Sequence, residues 1–125
     1  MKSFMLFLLI GVSAHLVAQK EGEPAYSLKN KNIEQFTAFF NNPIDLNIPN
    51  AKANYSDNQG KILVEKFFKD NPLSAYETKH TGGGNGRPFF EIGKLETATS
   101  NFRTYLLFQK NAESIKIIEL RIEEE

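Results

Sequence analysis

Residues 55–72, YSDNQGKILVEKFFKDNP, carry the strongest pattern in the chain and decide its fold. Ser56 stands where a helix N-cap belongs, and Gln59 follows three positions later, as in a capping box. Leu63, Val64 and Phe67 then recur at helical spacing, and Ile62 and Phe68 widen the stripe, so the helix needs cover over most of its circumference. Lys61, Glu65, Lys66 and Lys69 mark a narrow solvated edge. Pro72 disfavours helical backbone at Asn71 and stops the element. Phe67 and Phe68 read as core residues before they read as an aromatic ligand box.

Upstream of this helix, Ile33, Phe36, Phe39 and Phe40 repeat at three- and four-residue steps and predict an earlier amphipathic helix over 30–40. The alternation Ile44, Asp45, Leu46, Asn47, Ile48 between two prolines predicts a half-buried strand, and a brief second strand is expected over 53–55. Downstream lie four strand-like segments, 75–81, 89–97, 102–110 and 115–122, separated by turn-rich breaks that suit antiparallel hairpins. The glycine-rich break GGGNGRP is read as a hairpin loop, because no Gly-Lys-Ser/Thr follows it and strands rather than a helix flank it. Helices first and a meander last make an α+β domain.

Alternation assigns faces to the strands. Phe102, Thr104, Leu106 and Phe108 form the core face of their strand, opposite Arg103, Tyr105, Leu107 and Gln109. In the last strand Ile118, Leu120 and Ile122 share one side, and Ile115, Ile117, Glu119 and Arg121 the other, so both sides are partly apolar. Such a sheet suits a helix on one face and a partner on the other. Phe90 and Ile92 are expected on the core face, with Gly93 marking a bulge or bend. Tyr76, Thr78 and His80 share a face and are expected to line a cavity where the sheet curls.

The ends of the chain bear on compartment. Lys2, the apolar run from Phe4 to Val12 and the small-residue approach LVAQ have the form of a secretory signal peptide over 1–19, cleaved after Ala18 or Gln19. That run is too short to span a bilayer comfortably, and nothing later resembles a stop-transfer segment, so no membrane span is expected after processing. The expected product is an exported, periplasmic or secreted protein of one domain, 20–125, with a loose lead-in over 20–26. Fifteen basic residues balance fifteen acidic ones, and loss of Lys2 tips the balance by one, so no basic excess argues for nucleic acid. With no cysteine, disulfides and thiolate metal sites are excluded and stability rests on packing.

The element order helix, two short strands, long helix, four-stranded meander resembles the cone-shaped nuclear-transport-factor-2-like (cystatin-like) fold, shared with ketosteroid isomerase and scytalone dehydratase. More specifically, the chain resembles a small exported family found mainly in Bacteroidetes and known only as a domain of unknown function. The resemblance rests on Tyr55-Ser56 with Gln59, Leu63, Phe67-Phe68, Pro72, His80, Gly82, Ile92-Gly93, Thr97, Arg103, Tyr105 and Glu119-Leu120-Arg121-Ile122, in that order. Gly60 and Asn101 depart from its pattern, where alanine and glycine are usual. The resemblance implies N-terminal helices packed on a curved antiparallel sheet and implies no activity.

For chemistry the candidates are few. His80 is the only histidine outside the leader, which excludes a multi-histidine metal site, and no cofactor is implied. With Glu77 or Glu91 it could serve as an acid and base. Glu91, Glu96 or Glu119 with Tyr55, Tyr76 or Tyr105 are further pairings that the spacing leaves open. Arg103 and Arg121 suit either a carboxylate or phosphate clamp, or pairing with Glu96 and Glu119 on neighbouring strands. The expected function is non-enzymatic binding in the cell envelope, of a small apolar or amphipathic ligand or a partner protein, with homodimerisation through the sheet. The residues expected to make the contacts are Tyr55, Tyr76, His80, Arg103, Tyr105, Glu119 and Arg121. The competing expectation is a small isomerase or dehydratase-like enzyme using His80 and a glutamate in the cone.

Overall fold

The structure, a computed structural model, describes residues 23–125; the signal-peptide reading and its cleavage point lie outside the described residues. The elements run α1 (Pro24–Lys29), α2 (Ile33–Thr37), β1 (Phe40–Ile48), β2 (Ala51–Tyr55), α3 (Asp57–Asp70), β3 (Leu73–Gly84), β4 (Arg87–Thr97), β5 (Asn101–Lys110) and β6 (Ile115–Glu124). The strands form one curved sheet in the order β2-β1-β6-β5-β4-β3. Every pairing is antiparallel except β1 with β6, which is parallel and lets the N-terminal hairpin extend the meander.

α3 is the expected central helix. The Gln59 amide donates to Ser56 Oγ at 3.2 Å, and Asn71 closes the far end through its backbone and side-chain amides, which both donate to the Phe67 carbonyl. Val64, Phe67 and Phe68 are buried, and Phe67 meets Phe102 of β5 edge to face at 5.2 Å. The cover is narrower than expected, because Ile62 is 64% exposed. α3 packs by one side, against β1, β2 and α2 and, through Phe67, against β5.

Two expectations near the N-terminus are corrected. Residues 24–26 are no loose lead-in: Pro24 starts α1, whose Ala25 and Leu28 are each 1% exposed. Proline is preorganised for the first helical position, and an apolar pair three apart suffices to dock so short a helix. The single helix expected over 30–40 is only α2, started by Asn32, whose side chain accepts from the Gln35 amide at 3.0 Å. Phe40 already opens β1, because the Phe39 carbonyl is taken by the Ile117 amide at 2.8 Å. Phe36 and Phe40 still meet, edge to face, 5.7 Å apart.

Faces follow the pairing register. β5 buries Phe102, Thr104 and Leu106 as expected. In β4 the assignment reverses: Glu91, Gly93 and Leu95 are inward, while Phe90 and Ile92 lie on the outer face. A bulge does fall at Gly93, but its extra residue is on β3: Thr78 pairs with Gly93 and His80 with Ile92, leaving Lys79 unpaired between them. A second slip between β5 and β6 makes Ile118 the extra residue and turns Ile117, fully buried, to the core with Leu120 and Ile122. The glycine-rich loop is also shorter than expected. Asn85 and Gly86, with φ of 55° and 86°, form the tight two-residue turn that hairpin twist favours.

Candidate functional site

Two polar constellations emerge, one on each face of the sheet. The inner one begins with Tyr76 of β3, which pairs with Leu95 but whose ring extends along the sheet over Gly93. Its phenol donates to Glu91 Oε2 at 2.6 Å, and Thr78 Oγ1 donates to the same oxygen at 2.9 Å. Glu91 is 5% exposed and Tyr76 6%. Thr104, opposite Gly93 on β5, adds a buried hydroxyl beside the phenol, whose interaction with it works against the rise in the Tyr76 pKa. Burial raises the Glu91 carboxyl above its ordinary value, and the Tyr76 and Thr78 bonds partly offset this. Tyr76 is held well above its ordinary value, first by burial and then by the Glu91 charge.

The outer constellation is built by β3 to β6. The register aligns His80, Ile92, Tyr105 and Arg121 in one row across four strands, with Lys94, Arg103 and Glu123 in the next. Phe90 of β4 stacks on Tyr105 at 6.4 Å between ring centroids, and the guanidinium of Arg121, from β6, lies over the Tyr105 ring at 5.1 Å from its centroid. Arg121 Nε donates to Glu119 at 2.9 Å, which raises the Arg121 pKa. Ile92, Arg103, Tyr105, Arg121 and Glu123 border a shallow depression of about 80 Å³.

Of the residues expected to make contacts, Arg103, Tyr105, Glu119, Arg121 and His80 thus share the outer face. Tyr76 does not, and Tyr55 lies beside Ile44 at the β2 edge, packed on the core. His80 is corrected off the Tyr76 and Thr78 face by the Lys79 bulge and is exposed, so the expected cavity lining of these three does not assemble. His80 and Glu91 lie on opposite faces. The partnership of Tyr76 with Glu91 is one of the several carboxylate–tyrosine pairings that the spacing left open; the signal that could have selected it is Gly93, whose missing side chain makes room for a ring from the next strand. Among the described residues no group of three or more His, Cys, Asp or Glu is placed to hold a metal ion, and no helix is long and apolar enough to cross a membrane.

Comparison with known proteins agrees with this architecture. A family protein of Bacteroides uniformis superposes with a TM-score of 0.72 at 24% identity, covering 81% of this chain and 93% of that one. A nuclear-transport-factor-2-like protein of unknown function from Cytophaga hutchinsonii gives 0.56 at 14% identity, covering 82% and 84%. A cystatin-like domain of unknown function from Nostoc punctiforme gives 0.61 at 14% identity, covering 81% and 70%. These likenesses establish the fold. No curated protein matches the sequence. A family model matches residues 25–123, and the chain belongs to that family, the one described as "Domain of unknown function (DUF4783)".

Proposed function

We propose that this chain is an exported, non-enzymatic binding domain of the cell envelope whose outer sheet face takes a second copy of itself. The observation that carries the reading is the assembly around Tyr105, with Phe90 on one side, Arg121 on the other and Arg103 and Glu119 on the same face. Aromatic residues and arginine are the side chains enriched where protein surfaces meet. Lys94, Arg103 and Arg121 are matched on that face by Glu96, Glu119 and Glu123, a balance that suits a self-complementary, two-fold interface. The separation of His80 from Glu91 takes support from the competing enzyme, since an acid and base acting on one substrate must face one site. The leader-like residues 1–19 support export.

Light scattering at high micromolar concentration tests the interface. A dimer that Tyr105→Glu converts to a folded monomer is expected, and a monomeric wild type overturns the reading. Export is checked separately by N-terminal sequencing of the envelope fraction, where the mature chain begins at Gln19 or Lys20.

A further inference from the structure

The depressions of the surface differ in how their charges are matched. The one on the outer face sets Glu123 beside Arg103 and Arg121. Between α3 and the β1–β2 turn, Lys66 borders another and is paired with Asp70 at 3.1 Å. Beside the β5–β6 turn, Glu113 stands with Lys110 and Lys116. The depression at the β3–β4 turn is different. It measures about 390 Å³ and is bordered by Arg87 and Lys110 and by no acidic residue. In a chain whose acidic and basic residues are equal in number, this positive excess belongs to the place and not to the composition.

Its rim is rich in donors. Gly84 pairs with Arg87, so Asn85 and Gly86 are left out of the ladder, and their amides meet no acceptor among the described residues. Successive amides in a turn form a concavity that suits an anion. Asn111 borders the same depression; its side-chain oxygen accepts from the Glu113 and Ser114 amides at 3.2 Å and 3.1 Å, which leaves its nitrogen as a donor. The Lys110 ammonium is 5.7 Å from the Phe89 ring centroid and is answered by Glu23 at 2.9 Å. Arg87 is exposed and forms no ion pair among the described residues, so its charge is the unmatched one. Pro88 and Phe89, the latter stacked on Phe108 at 5.7 Å, supply an apolar wall.

We propose that the depression at the β3–β4 turn binds a small aromatic monocarboxylate, with Arg87 taking the carboxylate, the turn amides and Asn111 completing its hydrogen bonds, and the ring lying against Pro88 and Phe89. The planar guanidinium matches a carboxylate with two parallel N–H donors. A single unmatched cation suits a singly charged group better than a phosphate, which carries more than one charge at neutral pH. The volume falls in the range of small-molecule sites. Because Asn85, Gly86 and Arg87 are exposed, the attraction is screened by salt. None of these residues belongs to the Tyr105 assembly, so the site does not rest on the dimer.

Titration of the purified protein with benzoate, benzamide and acetate at low salt and neutral pH, followed through the backbone amide signals in nuclear magnetic resonance, tests the site. Benzoate is expected to move the Asn85 and Gly86 amides and to bind roughly tenfold more tightly than benzamide, the scale of hydrogen bonds to a charged group. Acetate, which has the charge without the ring, is expected to bind more weakly than benzoate. Arg87→Gln should reduce benzoate to the level of benzamide; the side chain is exposed, so the variant keeps the fold, and its unchanged amide spectrum away from the turn shows this. Equal binding of benzoate and benzamide, equal binding of benzoate and acetate, benzoate binding unaffected by Arg87→Gln, shifts confined to residues around Arg103 and Arg121, or no shifts at all would overturn the proposal.

Discussion

Tyr76 occupies the space that a side chain at Gly93 would need: a Cβ there would lie 2.2 Å from the phenol oxygen and 2.4 Å from the ring carbon that carries it. The glycine is thus part of how Tyr76 reaches Glu91. Gly93→Ala forces the ring aside and breaks its bond to a buried carboxyl, so a loss of about 1 to 3 kcal/mol is expected. Urea unfolding measures it. In a Tyr76→Leu background the same change should cost much less, because the ring that it meets is gone.

Glu91 makes stability depend on pH with a definite sign. Burial raises its carboxyl above the ordinary value of 4.5 in the folded protein, so the native state holds the proton more tightly than the unfolded chain. Its contribution to stability is full below about pH 4.5 and declines as pH rises through the folded-state value, by about 1.4 kcal/mol for each pKa unit of the shift. Glu91→Gln removes that decline. The difference in stability between variant and wild type should therefore move in favour of the variant from acid to neutral pH. Denaturation at about pH 4 and about pH 8 checks it, and a pH-independent difference would contradict the assignment.

Gly60 looks like a place to gain stability, since alanine in a helix is favoured over glycine by about 1 kcal/mol. The packing opposes this. A Cβ at Gly60 would stand 2.8 Å from Ile44 Cγ2 and 3.4 Å from the Phe40 ring, and a branched methyl on a central strand has little room to move. Gly60→Ala is expected to give a net loss of up to about 2 kcal/mol. In an Ile44→Ala background, itself costly, the substitution should become favourable. A double-mutant cycle reads the coupling.

What was legible in the sequence follows from where local signals suffice. α3 was readable because Ser56 and Pro72 act on their own neighbours, and β5 because its alternation is unbroken. β6 and β3 misled because one extra residue, Ile118 or Lys79, flips every later side chain to the other face. That flip removed His80 from the inner site. β4 misled for a different reason: its inner face carries Glu91 and Gly93 and its outer face Phe90 and Ile92, so hydrophobicity alone assigns them backwards. The Tyr105 face needed no bulge to be resolved, since Arg103 and Tyr105 on β5 and Glu119 and Arg121 on β6 all lie beyond the slips. The inner site depends on cross-strand register, which no single strand encodes.

The pair that ties α1 to the sheet should control local opening rather than global stability. Lys110 Nζ donates to the Glu23 carboxylate at 2.9 Å and lies 5.7 Å from the centroid of the Phe89 ring, with side chains 40% and 26% exposed for Lys110 and Glu23. An ion pair this accessible is worth about 0 to 1 kcal/mol, and an exposed cation over a ring adds about 0.5 to 1 kcal/mol. Lys110→Ala should then lower global stability by little more than about 1 kcal/mol. α1 has few contacts to spare, so the loss falls on it first. The amides of Asn30, Lys31 and Asn32, which bond to the Tyr26, Leu28 and Ser27 carbonyls, report its docking. In Lys110→Ala their hydrogen exchange should quicken by more than that of the Ile117 amide, which bonds to Phe39 at the start of β1. Equal acceleration at all four amides would mean that α1 opens only with the whole domain.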